Sequence, residues 1–255
     1  MGASRGIALV TGAARGIGQA TAFALAEAGY DVVVNDLAAD TLGETVEGVA
    51  ARGQRAEAVA ADIADVDGHA AFLDAVCAPF GVPTTLVNNA GVSVKTRGDM
   101  LDVTPESFDR LITINLRGPF FLTQALARRM LAVADERPRV IVTVSSANAF
   151  AVSPDRAEYC IAKTGLAMMT KLFAVRLAEA GILAFEIRPG VIRTDMTRVA
   201  TARYDALYAA GFTPQNRWGQ PEEVARAATM LATGALPFST GEAIHVDGGL
   251  HIARL

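Results

Sequence analysis

Short runs of β-branched and apolar residues alternate along this chain with longer alanine-rich segments of helical period. Strands buried on both faces of a parallel sheet are nearly continuous apolar runs, and each crossover to the next parallel strand usually contains a helix. The alternation therefore predicts an α/β fold with helices on both faces of a parallel sheet. We expect seven strands, at 7–10, 31–35, 56–60, 85–87, 140–144, 183–187 and 243–246. The helices are expected at 17–28, 39–51, 68–80, 105–133, 156–180 and 221–232.

Chain length and composition favour a single folded unit. The 255 residues are 51 % hydrophobic, which is enough to bury a substantial core. The 23 glycines and 10 prolines are dispersed, and no linker or internal repeat divides the chain. We expect one Rossmann-type, doubly wound domain over residues 1–255. In such folds ligands bind at the carboxyl ends of the strands, so motifs that follow strands are the candidate site.

Hydropathy and charge exclude several classes of function. The longest apolar runs, such as 7–10 and 140–144, fall far short of the roughly 20 residues of a membrane span. The N-terminus leads almost directly into the first strand, which leaves no room for a secretory signal. We therefore expect a cytoplasmic protein with no membrane partner. The formal net charge of −4 also gives no support for nucleic-acid binding.

Cysteine and histidine usage gives no sign of a disulfide or a metal. Cys77 and Cys160 fall in helical patterns, so we expect two reduced packing residues. His69, His245 and His251 are separated in sequence and lack Cys or carboxylate ligand spacing around them. We expect no metal site, and surface or structural roles for these histidines.

A glycine-rich turn follows the first strand and opens the first helix. Its key positions are Gly12, Arg15, Gly16, Ile17 and Gly18. Glycine lets the backbone turn tightly and approach a pyrophosphate, and the helix N-terminus offers free N–H groups and a positive dipole end. The turn predicts a dinucleotide phosphate site, although a strand-to-helix turn without a ligand is the alternative.

Asp36 stands at the end of the second predicted strand, eighteen positions after Gly18. A carboxylate there can accept hydrogen bonds from both ribose hydroxyls of NAD and repels the 2′-phosphate of NADP. Arg15 argues the other way, because a cation in the phosphate loop could bind that phosphate. Because the position of Asp36 is the one expected to contact the ribose hydroxyls, the sequence favours NAD over NADP.

Two later loops add candidate contacts to the cofactor. Asp62 and Ile63 follow the third strand, and Asn89, Ala90 and Gly91 follow the fourth. The small Ala-Gly pair lets the backbone pass close to a nucleotide, and asparagine amides can tie neighbouring strand ends together. Ordering of the loop is an equally good explanation for the asparagine.

Three side chains further along carry acid–base chemistry. Tyr159 and Lys163 stand four positions apart, and Ser146 precedes the tyrosine by thirteen. On a helix, residues i and i+4 share a face, so an ammonium group can favour the ionised phenol. A tyrosine of lowered pKa can exchange a proton with an alcohol near neutral pH. Because Tyr-x-x-x-Lys also occurs on solvated helix faces, the order and spacing of all the motifs support the prediction of hydride transfer.

Together these motifs resemble the short-chain dehydrogenase/reductase family from residue 7 to about 249. Within that family, the chain is most similar to members labelled 3-oxoacyl-(acyl-carrier-protein) reductase. The set comprises the glycine-rich turn, Asn-Asn-Ala-Gly at 88–91, Asn115, Ser146, Tyr159, Lys163, Pro189-Gly190 and Val-Asp-Gly-Gly at 246–249.

The resemblance implies a role for each catalytic candidate. Tyr159 would be the general acid for ketone reduction and the general base for alcohol oxidation. Lys163 would hold the nicotinamide ribose and lower the phenol pKa, and Ser146 would hydrogen-bond the substrate oxygen. Asn115, a poor helix former inside the predicted helix 105–133, would support a water chain from the lysine to solvent. A helix-bending residue without a chemical role is the alternative for this asparagine.

The resemblance also implies further cofactor contacts and an assembly. Pro189 and Gly190 would pass along the nicotinamide, Ile192 would bind its carboxamide through the backbone, and Thr194 would reach the phosphate. Segment 193–217 would form a mobile lid over the substrate. Family members commonly form homotetramers through the helices starting near 105 and 156 and through the last strand, and we expect the same here.

Substrate class is predicted from three polar, cationic segments at 93–97, 148–156 and 193–217. They indicate a small hydroxylated or anionic substrate, with a sugar or polyol first. An acyl carrier protein is strongly acidic, yet the helix ends at 133–136 and 178–180 are not basic. Reduction of a 3-oxoacyl-(acyl-carrier-protein) or 3-oxoacyl-CoA is the alternative. A nucleotide-sensing protein without turnover is a further alternative, although such proteins usually lose the tyrosine or the lysine.

Overall fold

The structure is a computed structural model that describes residues 4–253, so the expected domain limits at 1 and 255 lie outside the described residues. One parallel sheet has the strand order β3-β2-β1-β4-β5-β6-β7. The strands are β1 (Gly6–Thr11), β2 (Tyr30–Asn35), β3 (Ala56–Ala58), β4 (Thr85–Asn88), β5 (Arg139–Val144), β6 (Ile182–Pro189) and β7 (Ala243–Val246). This order confirms the predicted doubly wound α/β fold.

Helices connect the strands and cover both faces of the sheet. They are α1 (Gly16–Glu27), α2 (Gly43–Ala50), α3 (His69–Cys77), α4 (Pro105–Ile112), α5 (Gly118–Ala132), α6 (Ala157–Leu177), α7 (Asp195–Arg198), α8 (Thr201–Ala209) and α9 (Pro221–Ala232). Local signals explain several starts. Thr104 caps α4 ahead of a proline in its first turn, and Gln220 and Glu223 form a reciprocal capping box on α9.

Alternating side chains of each strand enter one of two hydrophobic cores. Ala8 and Val10 of β1 pack in the core beneath α1, α2 and α9. Ile7 and Leu9 of the same strand pack in the core on the other face, beneath α3, α5 and α6. Burial on both faces explains why the strands are nearly continuous apolar runs.

Helix 105–133, expected as one element, is two helices separated by a π-helical turn at Thr113–Arg117. Asn115 is buried at the centre of that turn. Its side-chain amide donates to the carbonyl of Val92 over 2.8 Å and accepts from the N–H of the same residue over 2.8 Å. These contacts with the loop after β4 account for the break, because they hold the side chain away from the regular helical path.

Two strands, β3 and β6, differ in length from the sequence prediction. β3 pairs only with β2 and ends at Ala58, whereas the sequence predicted it to residue 60. β6 pairs with both β5 and β7 and extends to Pro189. Helix α2 also begins later than predicted, after a 3₁₀ turn at Ala39–Thr41. The sequence pattern missed α7 and α8, because short polar segments show no clear hydrophobic period.

The functional crevice follows from the strand order. After β3 the chain crosses to the other side of β1, so the connections that follow β1 and β4 lead to opposite halves of the sheet. This reversal is the usual ligand-binding position of a doubly wound sheet. Among the residues described, no helix is both long and apolar enough to cross a membrane.

Candidate active site

The glycine-rich turn after β1 is shaped by three glycines with separate steric reasons. Gly12 has φ 64° and Gly16 has φ 58°, backbone values that L-residues with a side chain rarely adopt. At Gly18, an added Cβ would lie 2.0 Å from the carbonyl oxygen of Gly12. The turn therefore stays tight and leads directly into the N-terminus of α1 at Gly16 and Ile17. Its bare backbone and free helical N–H groups fit a dinucleotide pyrophosphate.

The loop after β4 is fastened to this turn. The Asn89 amide donates to the carbonyls of Thr11 and Gly12, each over 3.0 Å. The Thr11 hydroxyl accepts from the N–H groups of Asn89 and Ala90, each over 3.1 Å. An added Cβ on Gly12 would meet the backbone of Ala90 at 2.8 Å. The asparagine side chain thus joins two strand ends and is occupied by backbone contacts.

Asp36 lies at the rim of the glycine-rich turn. Its carboxylate accepts from the N–H of Ala14 over 3.1 Å and from that of Leu37 over 2.8 Å. Arg15 instead forms an ion pair with Asp195 of α7 over 3.4 Å, and its side chain is 77 % exposed. Asp36, which favours NAD, and Arg15, which favours NADP, therefore have different partners.

Asp62 and Ile63 lie in the loop after β3. The Asn35 amide, at the end of β2, donates to the Ala61 carbonyl over 3.2 Å and so holds this loop beside the end of β2. Asp62 accepts from the N–H of Ala64 over 2.8 Å. Ile63 is buried, and its carbonyl lies 2.8 Å from Nε2 of His69.

Tyr159 and Lys163 lie in the first half of α6, and both are buried. The Lys163 Nζ lies 5.6 Å from the centre of the Tyr159 ring. It donates to the carbonyl of Val144 at the end of β5 over 3.1 Å. Helix α6 therefore holds the phenol and the amine together at the carboxyl end of the sheet.

Ser146 follows β5 and lies at the start of a 3₁₀ turn. Its hydroxyl accepts from the N–H of Asn148 over 3.1 Å. The adjacent Ser145 is buried and hydrogen-bonded to Glu186 and to the carbonyl of Ile187. Ser145 is therefore engaged within the sheet, whereas Ser146 is the serine that interacts with Tyr159.

The electrostatics of the pair are dominated by burial. Burial raises the pKa of Tyr159, while the charge of Arg156 and a hydrogen bond with Ser146 lower it. Burial lowers the pKa of Lys163 to about 8, against the opposing charge of Glu186. The amine is thus still protonated at neutral pH, and the phenol depends on its neighbours to ionise.

Sequence reasoning missed Arg156. Its guanidinium lies 5.3 Å from the centre of the Tyr159 ring, donates to the Asn148 side chain over 2.7 Å and contacts the Ser153 hydroxyl at 3.2 Å. The spacing between Arg156 and Tyr159 could have indicated this contact, since residues i and i+3 of a helical turn are neighbours.

Asn115 lies beside the lysine. A Cβ added to Gly91 would lie 3.1 Å from the side-chain Oδ1 of Asn115 and 3.7 Å from the Lys163 Nζ. The π-helical turn, the loop after β4 and helix α6 therefore converge at this glycine. A side chain at residue 91 would require the Asn115 amide to shift by a few tenths of an ångström.

The second wall of the crevice follows β6. Gly190 donates to the Val246 carbonyl over 2.9 Å, and an added Cβ would lie 2.7 Å from the backbone of Asp247. Ile192 is buried, and the hydroxyl of Thr197 donates to its carbonyl. Thr194 caps α7, and its methyl group is 3.4 Å from a Cβ built on Gly16. Pro189, Gly190, Ile192 and Thr194 therefore run from the sheet towards the glycine-rich turn.

The three polar segments of the sequence meet at Asp155. Arg97, from the loop after β4, and Arg203, from α8, each donate to its carboxylate over 3.0 Å. Burial opposes ionisation, but hydrogen bonds from Ser153, Arg97 and Arg203 hold the pKa of Asp155 well below its ordinary value. Segment 193–217 is thereby connected to the residues that precede Tyr159.

Two of the histidines are brought together, contrary to the argument from their separation in sequence. The rings of His245 and His251 are 4.1 Å apart, and both lie beside the carboxylate of Asp247. The spacing His-x-Asp-x-x-x-His could have indicated this grouping. His69 lies elsewhere, at Ile63.

Comparison with known proteins identifies the family. A family model described as enoyl-(acyl carrier protein) reductase matches residues 12–251. A 3-oxoacyl-[acyl-carrier-protein] reductase of Synechocystis sp. is 38 % identical over 96 % of each chain. The chain belongs to the short-chain dehydrogenase/reductase family. As a member of this family, it is an NAD(P)-dependent oxidoreductase that acts on a CH–OH group.

Solved short-chain dehydrogenases share the architecture closely. A crystal structure of a 3-oxoacyl-[acyl-carrier protein] reductase from Brucella melitensis in complex with NAD is 45 % identical, with a TM-score of 0.96 over 100 % of each chain. A gluconate 5-dehydrogenase from Burkholderia cenocepacia J2315, in complex with NADP and tartrate, is 33 % identical, with a TM-score of 0.90 over 99 % of this chain and 97 % of that one. The relatives therefore differ in both substrate and cofactor.

Proposed function

We propose that this short-chain dehydrogenase interconverts a secondary alcohol and a ketone on a small hydroxylated or anionic metabolite, with NAD(H) as its preferred cofactor. The observation that carries the substrate class is the meeting of Arg97, Asp155 and Arg203 beside the catalytic tyrosine. With Arg156, this cluster holds three cations and one carboxylate, so an anionic or polyhydroxylated substrate would find ready partners.

Each catalytic side chain has a defined task in this proposal. The nicotinamide, when bound, supplies or accepts the hydride. In reduction, the Tyr159 phenol gives its proton to the carbonyl oxygen as that oxygen becomes an alkoxide, and Ser146 donates a hydrogen bond to the same oxygen. Lys163 stabilises the resulting phenolate and holds the ribose. Asn115 supports the return of a proton from solvent to the lysine. Oxidation runs through the same groups in reverse.

The cofactor would be held along the crevice from the glycine-rich turn to the segment after β6. Its pyrophosphate would lie on the turn and the N-terminus of α1, and its adenine beside Asp62 and Ile63. The backbone of Ala90 and Gly91 would pass beside the nucleotide, with Asn89 holding that loop in place. The turn would contribute Gly12, Arg15, Gly16, Ile17 and Gly18, and the nicotinamide end would be bound by Tyr159, Lys163, Pro189, Gly190, Ile192 and Thr194.

Asp36 is the basis for NAD(H) over NADP(H). Its carboxylate stands at the end of β2 and next to the turn, and it has no arginine partner among residues 4–253. A 2′-phosphate at that position would meet uncompensated negative charge. Arg15 is paired with Asp195, which makes it less available to bind a 2′-phosphate.

Acyl thioester reduction is the second candidate, supported by the names of the Synechocystis and Brucella relatives. Against it, the segment after α5 contains the acidic residues Asp135 and Glu136, and Asp135 is paired with Arg137 rather than leaving that cation free. An acidic carrier protein would favour a basic surface beside the pocket.

We further propose a single domain, with segment 193–217 as its substrate lid, that assembles into a homotetramer. The helices α5 and α6 share an apolar groove lined by Leu116, Phe120, Met168 and Leu172. Met168 is 56 % exposed and Leu172 57 % exposed, which is unusual for neighbouring large apolar side chains. A second copy of the same face would cover them. Light scattering that returns a monomer would overturn the assembly.

Steady-state assays test the proposed function. NADH and NADPH are each paired with a panel of sugar-acid and polyol ketones and with 3-oxoacyl thioesters. We expect NADH and a small polar ketone to give the highest kcat/KM. A strong preference for NADPH together with fast turnover of acyl thioesters would replace the first candidate by the second.

A matched variant separates catalysis from nucleotide sensing. Tyr159→Phe removes only the hydroxyl, so turnover should fall by at least about 100-fold while NADH binding is retained. Unchanged turnover in this variant would reject the assigned role of the tyrosine.

A further inference from the structure

A side-chain cluster that includes two histidines lies at the end of β7. Asp247 directly follows the strand, and Gly248 and Gly249, with φ 65° and 86°, reverse the chain. The reversal brings His251 back beside His245, with ring centres 4.1 Å apart and planes inclined by 31°. Two imidazoles and one carboxylate are therefore presented together by a seven-residue stretch, 245–251.

Asp247 is held rigidly at the centre of the cluster. Its carboxylate accepts from the backbone N–H groups of Gly249 over 2.9 Å and of His251 over 3.0 Å. Its side chain is only 1 % exposed. A ligand whose position is set by backbone contacts loses little freedom on binding a cation, which favours affinity.

The separations between donor atoms suit a shared metal ion. Nδ1 of His251 lies 2.9 Å and Nδ1 of His245 lies 3.5 Å from the same oxygen of Asp247. One ligand atom from each residue can be chosen so that all lie within 4.8 Å of one another. Metal–nitrogen and metal–oxygen bonds of about 2.0–2.2 Å set neighbouring ligands roughly 3 Å apart, so only small side-chain adjustments are required.

One nitrogen of the cluster lacks a partner. Within residues 4–253, the buried Nδ1 of His245 makes no hydrogen bond, since 3.5 Å to Asp247 exceeds the usual length. A buried polar atom without a partner is costly, and a bound cation would satisfy it. The hydrogen bond between His251 and Asp247 accounts for the other ring without any metal, so His245 distinguishes the two explanations.

The surroundings leave room for further ligands and limit competing charge. A cavity of about 250 Å³ borders all three side chains and can admit water as additional ligands. The nearby cations are already paired: Arg217 donates to Glu223 over 2.7 and 2.9 Å, and Arg188 donates to Glu186 over 2.9 Å. Two imidazoles with one carboxylate favour Zn²⁺ and related transition metals over Mg²⁺ or Ca²⁺.

We propose that His245, Asp247 and His251 bind one divalent transition-metal ion of the Zn²⁺ class. The ion fastens the C-terminal turn to the end of β7. Because the backbone of Asp247 packs against Gly190, it also braces the segment after β6. The role is structural, and the proton transfer assigned to Tyr159 does not pass through the ion.

Calorimetry on the full chain tests the proposal, after chelator treatment and with ZnCl₂ as the probe. We expect one Zn²⁺ per chain and a rise in the thermal midpoint, because the ion binds the folded state. His251→Ala, at a side chain that is 38 % exposed, should weaken binding by more than about 100-fold, the upper range for loss of an outer-shell partner. His245→Ala should do the same.

Two controls make the result specific. Ile252→Ala, at an exposed neighbour of His251, should bind Zn²⁺ as the unaltered chain does. A Cys77→Ser/Cys160→Ser variant, which lacks the two free thiols, should also retain binding. Absence of Zn²⁺ binding, binding that survives His251→Ala, or binding lost in the thiol variant would each overturn the proposal. Circular dichroism checks folding, and if His245→Ala is misfolded, His251→Ala alone decides.

Discussion

The guanidinium of Arg156 stands over the ring of Tyr159, 5.3 Å from its centre. The Tyr159 phenol therefore has a cation three residues earlier in the chain, at Arg156, as well as the Lys163 amine one helical turn further on. Burial opposes ionisation of the phenol, and the Arg156 charge is the largest influence that favours it. We therefore propose that Arg156 is a positioning residue for the proton transfer assigned to Tyr159.

Replacing Arg156 by Gln should raise the pKa of Tyr159 further. Alcohol oxidation needs the phenolate, so its acidic pH limb should move to higher pH. Each unit of that shift lowers the phenolate fraction at neutral pH about tenfold. The pH profile of kcat/KM measures the effect. Arg156→Lys should restore part of it, and Arg176→Gln, at an exposed position of α6, should leave the profile unchanged. An unshifted limb in Arg156→Gln would contradict the assignment.

The pKa of Lys163 predicts a second limb. Burial lowers this pKa from 10.5 to about 8, so the amine is charged well below pH 8 and neutral well above it. The charge that is proposed to hold the ribose is therefore lost as pH rises through about 8, and kcat/KM for the cofactor should fall there. Measurement across the neutral and alkaline range tests this. Lys163→Met should give a low profile without that limb, and persistence of the limb in Lys163→Met would assign it to another group.

Charge at position 36 should decide the cofactor. Asp36→Asn keeps an acceptor for the neighbouring backbone N–H groups but removes the negative charge. We expect the ratio of kcat/KM for NADPH to that for NADH to rise by about tenfold or more, because repulsion of the 2′-phosphate is removed. Asp36→Ala should show the same change in ratio with an added loss of stability, since it also removes the contacts to Ala14 and Leu37. A preference for NADPH in the unaltered protein would contradict the proposal that the charge of Asp36 selects NADH.

Asn115 should contribute to stability as well as to the site. Asn115→Ala leaves the backbone N–H and carbonyl of Val92 without their 2.8 Å partners. The free energy of unfolding should fall by about 1–3 kcal/mol. Denaturant titration measures this change. Asp109→Ala, at an exposed position of the preceding helix, should change stability by less than about 0.5 kcal/mol. Equal stability of the two variants would show that the amide contacts contribute little.

Sequence reasoning succeeded where the signal is local. The strands are buried on both faces, so their apolar runs are visible without knowledge of their neighbours. The glycine-rich turn was recognisable because steric demands at Gly12, Gly16 and Gly18 exclude other residues. Asn115 was identified as a disturbance of its helix, and a π-helical turn surrounds it.

Errors arose where a distant partner sets the outcome. The break between α4 and α5 depends on Val92, which the helical period does not register. The length of β3 depends on its position at the sheet edge beside β2. Helices α7 and α8 lie in the polar segment 193–217, where the sequence pattern predicted no helix.

By itself, the sequence determined the α/β class, the family and the identity of the residues that follow each strand, because period, glycine placement and motif order are properties of the linear chain. Only the tertiary structure decided that Arg97 and Arg203 share Asp155, and that His245, Asp247 and His251 form one cluster. Those groupings depend on distances between side chains, which are set only after strands have paired and loops have packed at one edge of the sheet.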